Sequence, residues 1–284
     1  MKKISVLGTG LMGKPIAKRL CKLNNKVFVY NRTKININKL DDEITIVNNI
    51  QEIINNSEVS ILTLSDYNAI SELLFSKKMN YNNHTFINMS TISPSESINL
   101  KESISKFGGE YFESPMQGSI PEADSGKLIL MVGATKHQFN KWKPLLSSLG
   151  QNPKLIGEVG QAASLKLALN QLLASLTLSF SLALSFLRYY EVDINIFMKV
   201  LRETAVYAPT FDKKLPRMLS RNFENPNFPT KHLAKDINLF LKCCESANIN
   251  TEIVEKILET IIISINDGNL NNDYSSLYNA ICMH

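Results

Sequence analysis

The sequence predicts an α/β domain built on a mostly parallel sheet, followed by an all-α domain. Three observations carry this. Strand-like apolar runs alternate with helical patterns through the first 160 residues. From residue 161 onward the strand signals disappear. At the very N-terminus, an apolar strand runs straight into a glycine-rich turn and a helix start. Strand-helix alternation argues for a parallel sheet with helices on both faces.

The first strand, residues 4–7, enters Gly8-Thr9-Gly10-Leu11-Met12-Gly13 and then a helical pattern ending near Leu23. Gly8 suits the tight turn, Gly10 lets the backbone approach a pyrophosphate, and Gly13 lets helix pack close on strand. The helix start offers N–H groups and a positive dipole end to the phosphates, with Leu11 and Met12 in the same loop. A Rossmann-type, dinucleotide-binding unit is therefore expected. The second strand, 27–30, ends in Asn31-Arg32-Thr33. An acidic residue there would accept from the ribose of NAD and repel a 2′-phosphate. Asn31, Arg32 and Thr33 can instead donate to one, so the expected cofactor is NADP (NADPH).

Further strands are expected over residues 44–47, 59–64, 85–89, 110–113, 128–132 and 153–156, with helices such as 93–107 and 136–149 between them. A long helix follows from residue 161 to about 190, then helical patterns near 195–204, 213–219, 231–247 and 251–266. The expected domains are thus 1–160, binding the cofactor, and 161–284, all-helical and serving substrate and dimerisation, joined by the long helix. Residues 171–187 are apolar apart from serine, threonine and Gln171, and fall short of the roughly 20 residues that span a bilayer. A helix apolar on all sides is then a buried one, covered by its own domain, a second subunit or both.

At 284 residues the chain is long enough for two cores, and 44% hydrophobic with 20% charged residues is ordinary for a soluble protein. The net charge of +5 is dispersed, without a basic patch interleaved with aromatics, which argues against nucleic acid as a partner. Four cysteines without C-x-x-C spacing and no secretory signal fit a reducing cytoplasm, and four scattered histidines argue against a metal site.

Four constellations can carry chemistry. Lys166 and Asn170 share one helix face, one turn apart, on an otherwise nearly uncharged helix. Desolvation would make Lys166 a usable proton donor, and the alternative is a lysine whose stem packs while its head reaches water. The stretch from Glu113 to Gly126 follows a strand end, where open sheets bind ligands; Gly118 and Ser119 there form either a small anion nest or an ordinary turn. Ser90 and Thr91 follow another strand end and can meet a nicotinamide, whereas Ser93 before Pro94 reads as a helix cap. Finally, His232 stands three residues from Lys235 and four from Asp236, giving either a pair facing one cleft or a solvated helix face.

The order of these motifs resembles the β-hydroxyacid dehydrogenase family, that of 3-hydroxyisobutyrate dehydrogenase, tartronate semialdehyde reductase and the glyoxylate/succinic semialdehyde reductases. Gly8 to Gly13, Met89 to Pro94, Pro115 to Gly126, Gly157-x-x-Gly160 with Lys166-x-x-x-Asn170, and Lys235-Asp236 carry the resemblance nearly end to end. It implies an oxidoreductase moving hydride between NADP(H) and a small hydroxy acid or carbonyl acid. Lys166 would be the general acid/base and Asn170 would orient the substrate oxygen. Gln117, Gly118, Ser119 and Lys235 would bind substrate. Tyr207, Phe211, Lys235 and Asp236 would lie on the cofactor or substrate side, although Tyr207 and Phe211 alone read as core aromatics. Gln117 stands where the family usually has serine, so the amide replaces a hydroxyl. The implied partners are a small carboxylate-bearing carbonyl substrate and further copies of the chain, as a dimer or tetramer, with no nucleic acid and no membrane. The competing class is a non-catalytic NADP-binding sensor or interaction protein on the same fold.

Overall fold

The computed structural model describes residues 1–32, 44–77 and 79–282. Thr33 lies outside the described residues. The chain divides into two compact units, Met1–Lys166 and Leu167–His284.

The first unit runs β1 (Lys3–Leu7), α1 (Gly13–Lys22), β2 (Lys26–Tyr30), β3 (Ile44–Ile46), α2 (Ile50–Asn56), β4 (Val59–Leu62), α3 (Tyr67–Phe75), β5 (Thr85–Asn88), α4 (Pro94–Lys106), β6 (Glu110–Glu113), β7 (Met116–Gln117), α5 (Ile120–Ser125), β8 (Ile129–Gly133), α6 (Lys136–Leu149) and β9 (Lys154–Gly157). Among the described residues the strand order is β3-β2-β1-β4-β5-β6-β8-β7, with β9 on β8. The pairs from β3 through β6 are parallel, as is β8 with β9, whereas β8 runs antiparallel to β6 and β7. The sheet is therefore mostly parallel.

Alternating side chains feed two cores. Ile4, Val6, Val27, Val29 and Ile61 pack on one face with Ile16, Ala17 and Leu20 of α1 and Trp142, Leu145 and Leu146 of α6. Leu7, Phe28, Leu62 and Phe86 pack on the other with residues of α2, α3 and α4. Each fully buried aliphatic contributes about 1.5–3 kcal/mol, which is why a parallel sheet needs helices on both faces. The chain leaves β1 for β2 on one side and reaches β4 on the other, so the strand order reverses beside the C-terminal end of β1.

The second unit continues α7 (Gln161–Tyr189) and adds α8 (Ile194–Arg202), α9 (Pro209–Ser220), α10 (Thr230–Ser246), α11 (Glu252–Ser264) and α12 (Leu277–Ile281). Ala174 and Leu178 pack with Leu233 and Ile237 of α10 and with Val254, Ile257 and Ile261 of α11. Phe180 and Leu184 pack with Met198, Phe211 and Met218. Within its own unit, the helix over residues 171–187 is covered in part. One stripe of the helix is buried, while Leu172, Leu182 and Phe186 are 54%, 56% and 61% exposed. By length and composition alone α7 could cross a membrane, but its buried stripe packs as a core helix packs.

Candidate active site

At the C-terminal end of β1, backbone geometry does the work. Gly8 has φ +98, and a Cβ on it would sit 2.6 Å from the Thr63 carbonyl oxygen. A Cβ on Gly13 would lie 1.9 Å from the Gly8 oxygen, so α1 can approach the loop only with glycine there. Thr63 Oγ1 donates to the Gly8 oxygen at 2.7 Å and fixes the turn from β4. A Cβ on Gly10 would meet no atom within 4 Å. No side chain caps the start of α1, and its first turn carries no acidic residue. Open space over Gly10 and an uncapped positive helix end are what a pyrophosphate requires, so these residues fit a dinucleotide. Leu11, 40% exposed, and the half-buried Met12 complete the loop.

Asn31 serves this loop directly, because its Oδ1 accepts from the Thr9 N–H at 3.1 Å. That is a role the sequence did not announce. Arg32 Nη1 lies 3.8 Å from Glu72 Oε2, with both side chains more than 70% exposed, a contact that contributes little. On the nicotinamide-side loop, Ser90 is buried. Its N–H donates to Asn88 Oδ1 at 3.0 Å and its hydroxyl to the Leu62 carbonyl at 3.4 Å. In this arrangement Ser90 braces the loop from within, while Thr91 is half-buried. Ser93 caps α4 reciprocally with Glu96, with Pro94 at the first helical position.

Two carboxylates flank the stretch after β6, Glu113 at the end of that strand and Glu122 in α5. Glu113, 1% exposed, accepts through Oε1 from the N–H groups of Gly160, Ala162 and Ala163 at 2.8, 2.9 and 3.0 Å. Its Oε2 accepts from the Ser97 hydroxyl of α4. Burial pushes its carboxyl up, against the downward pull of Ser97 and the three amides. Glu122 accepts through Oε2 from the Ser119 N–H at 2.7 Å and the Ser119 hydroxyl at 2.6 Å. The Ser119 amide is thus occupied from within the chain. Gly118 has φ +129 and Ser119 is extended, and an internal carboxylate holds the Ser119 amide. The Ser-x-x-Glu spacing from Ser119 to Glu122 is a capping-box signature, and it was the signal that could have revealed this.

Lys166, 8% exposed, stands in the second turn of α7 and donates from Nζ to Gln117 Oε1 at 3.1 Å. The residue in the place of the usual serine thus touches the lysine. One turn on, Asn170, 1% exposed, donates from Nδ2 to Asp236 Oδ2 at 2.6 Å. Asp236 Oδ1 in turn pairs with Lys235 Nζ at 2.9 Å. The His232 ring stacks near Phe228 with centroids 6.4 Å apart; burial pulls its pKa down, against the raising effect of the Asp236 charge. Phe211 packs in the core of the second unit. It is 6% exposed and stacked on Phe180 with centroids 4.5 Å apart. The Tyr207 hydroxyl donates to Asp212 at 2.5 Å.

Residues 3–159 match the NAD binding domain of 6-phosphogluconate dehydrogenase, and residues 160–281 match the NAD-binding region of NADP-dependent 3-hydroxyisobutyrate dehydrogenase. Glyoxylate/succinic semialdehyde reductase 1 of Arabidopsis thaliana is 28% identical over 98% of this chain and 98% of its own length. The cytokine-like nuclear factor N-PAC of Drosophila melanogaster is 26% identical over 84% of this chain, which spans 41% of that protein. Among solved structures, the Mycobacterium tuberculosis 3-hydroxyisobutyrate dehydrogenase with L-serine superposes with a TM-score of 0.85 at 16% identity, over 99% of each chain.

Proposed function

The chain belongs to the β-hydroxyacid dehydrogenase family, and on that premise we propose that it is an NADP-dependent reductase of a small carbonyl-bearing carboxylic acid, with Lys166 as its general acid. The family itself is one of NAD(P)-dependent oxidoreductases of the hydroxyacid dehydrogenase type. The proposed reading rests on Lys166, a buried lysine whose ammonium donates to the Gln117 amide oxygen in the stretch that follows β6. A lysine is costly to bury, and buried ionisable groups gather at sites that transfer protons.

When bound, NADPH supplies the hydride that reduces the carbonyl carbon. The backbone of Gly8 to Gly13 and the start of α1 would hold the pyrophosphate; Asn31, Arg32 and Thr33 would hold the 2′-phosphate. Lys166 Nζ gives a proton to the forming alkoxide and accepts one in the oxidative direction. Asn170, fixed by Asp236, orients the substrate oxygen, and Lys235 adds a cation held by the same carboxylate. A substrate carboxylate takes the Ser119 amide in place of Glu122. The exposed apolar residues Leu172, Leu182 and Phe186 fit a face covered by a second copy of the chain.

The test is an NADPH-oxidation screen over small aldehyde acids and keto acids, glyoxylate and succinic semialdehyde included, beside their esters. Turnover of acids, with a loss of about 1–3 kcal/mol in kcat/KM for the esters, is expected from the missing charged acceptor. Equal turnover of acids and esters overturns the carboxylate assignment. A second reading, a dinucleotide-binding protein without turnover, draws on the likeness to N-PAC. NADPH binding with no oxidation across the screen would favour it.

A further inference from the structure

Glu113 is a buried titratable group that the proposed chemistry does not use. Its contacts tie together three segments of the first unit. The substrate loop begins at Glu113 itself, since β6 ends there. Ser97, which donates to Oε2, lies in the second turn of α4, the helix that the nicotinamide-side loop enters. The amides of Gly160, Ala162 and Ala163, which converge on Oε1, form the start of the helix that carries Lys166. The fit leaves no slack. A Cβ on Gly133 would lie 2.5 Å from Glu113 Oε1, so only glycine on β8 makes room for the carboxylate. Gly160 turns into the helix at φ +102. Ala162 and Ala163 stand four and three residues before Lys166, so the amides that Glu113 fixes lie one turn below the lysine.

We propose that Glu113 is a positioning residue, a buried carboxylate that clasps the start of α7 against the substrate loop and so sets where Lys166 Nζ is delivered. This rests on the reading of Lys166 as the proton donor. An anion at a helix start is favoured by the dipole, and hydrogen bonds to a charged acceptor are roughly twice as strong as neutral ones. Glutamine at position 113 keeps the shape and one acceptor oxygen but removes that charge. The helix start then loosens while the core around it stays filled.

The experiment compares the full-length native protein with Glu113→Gln, Ser97→Ala and Lys166→Ala. It measures NADPH affinity, kcat and KM on the best acid from the screen, and amide hydrogen exchange at residues 160–163. In Glu113→Gln, kcat falls by about tenfold or more, as a displaced catalytic group requires, while NADPH affinity stays within about twofold. The amides of Gly160, Ala162 and Ala163 exchange faster. In Ser97→Ala, which removes one neutral donor, kcat falls a smaller few-fold with the same split. Native kcat in a folded Glu113→Gln overturns the proposal. So does a parallel loss of kcat and NADPH affinity in both variants, which marks a purely structural role. If Glu113→Gln does not fold, a folded Ser97→Ala with native kcat is enough to overturn it. Lys166→Ala separates the two levels: if it keeps native turnover, the reading of Lys166 fails, whereas if it is inactive beside a native-like Glu113→Gln, only the clasp fails.

Discussion

Glu113 in the first unit and Asp236 in the second are both buried carboxylates beside a proposed catalytic group, yet they bind different things. Glu113 takes three backbone amides and one hydroxyl. Asp236 takes two side chains, the Asn170 amide and the Lys235 ammonium. A carboxylate on backbone amides places a whole helix start. A carboxylate on side chains fixes the rotamers of the groups that it holds. The first arrangement degrades when the helix start shifts, the second as soon as the carboxylate is gone.

The largest effect that sharpens this contrast is expected for Asp236→Ala. It removes an acceptor that the Asn170 amide and the Lys235 ammonium share, and kcat/KM falls by about 10–100-fold, the equivalent of one lost hydrogen bond to a charged group. Asp236→Asn keeps an acceptor for Asn170 and falls between native and alanine. Steady-state kinetics on the three proteins checks this, and native kcat/KM in Asp236→Ala breaks the contrast.

The second expectation concerns acid. His84 is buried, with Nε2 2.7 Å from Ser60 Oγ and Nδ1 3.0 Å from the Ser57 carbonyl oxygen. Burial pulls its pKa down from 6.5 to about 4, against the raising effect of the Ser57 carbonyl. The folded protein therefore stays neutral at His84 where the unfolded chain already binds a proton. Stability is unaffected above pH 6.5, falls as the pH drops from 6.5 towards 4, and levels off below, a loss of roughly 3 kcal/mol. Chemical denaturation across that window measures it, and His84→Gln flattens the slope. A native slope in a folded His84→Gln would assign the acid sensitivity elsewhere.

Why one end of this protein was legible in sequence and the other less so follows from how each is built. Gly8, Gly10 and Gly13 do their work through backbone conformation, which is local, so the loop, the strand before it and the helix after it were readable together. Lys166 and Asn170 were visible as a helical face with two polar groups on an apolar helix. Asn31 bonding Thr9, Thr63 bonding Gly8 and Glu113 reaching Gly160 span 22, 55 and 47 residues. No spacing rule covers such pairs. The Ser119–Glu122 box was local but hidden, because Gly118-Ser119 reads equally as an open nest. The strand β7 is two residues long, too short for any periodicity, and α12 followed a stretch rich in asparagine and serine that carries no helical pattern.

Asn31 gives the smallest expected effect and the cleanest substitution. Its Oδ1 accepts from Thr9, and aspartate keeps that acceptor, so Asn31→Asp leaves the glycine loop in place while adding a charge that repels a 2′-phosphate. The native protein is expected to bind NADPH about tenfold tighter than NADH, or more, and the variant to reverse that order. Titration of both proteins with both cofactors decides it, and equal native affinities would remove the NADP assignment.

The central claim is that Lys166 moves the proton. Lys166→Ala, measured against the native protein by single-turnover NADPH oxidation with the best acid found, tests it most directly. The account predicts a chemical step slowed by about 10²–10⁴, with NADPH affinity essentially unchanged, because the lysine serves the substrate oxygen and not the phosphates. Near-native oxidation in the alanine variant would contradict it and leave Lys166 a buried structural residue held by Gln117.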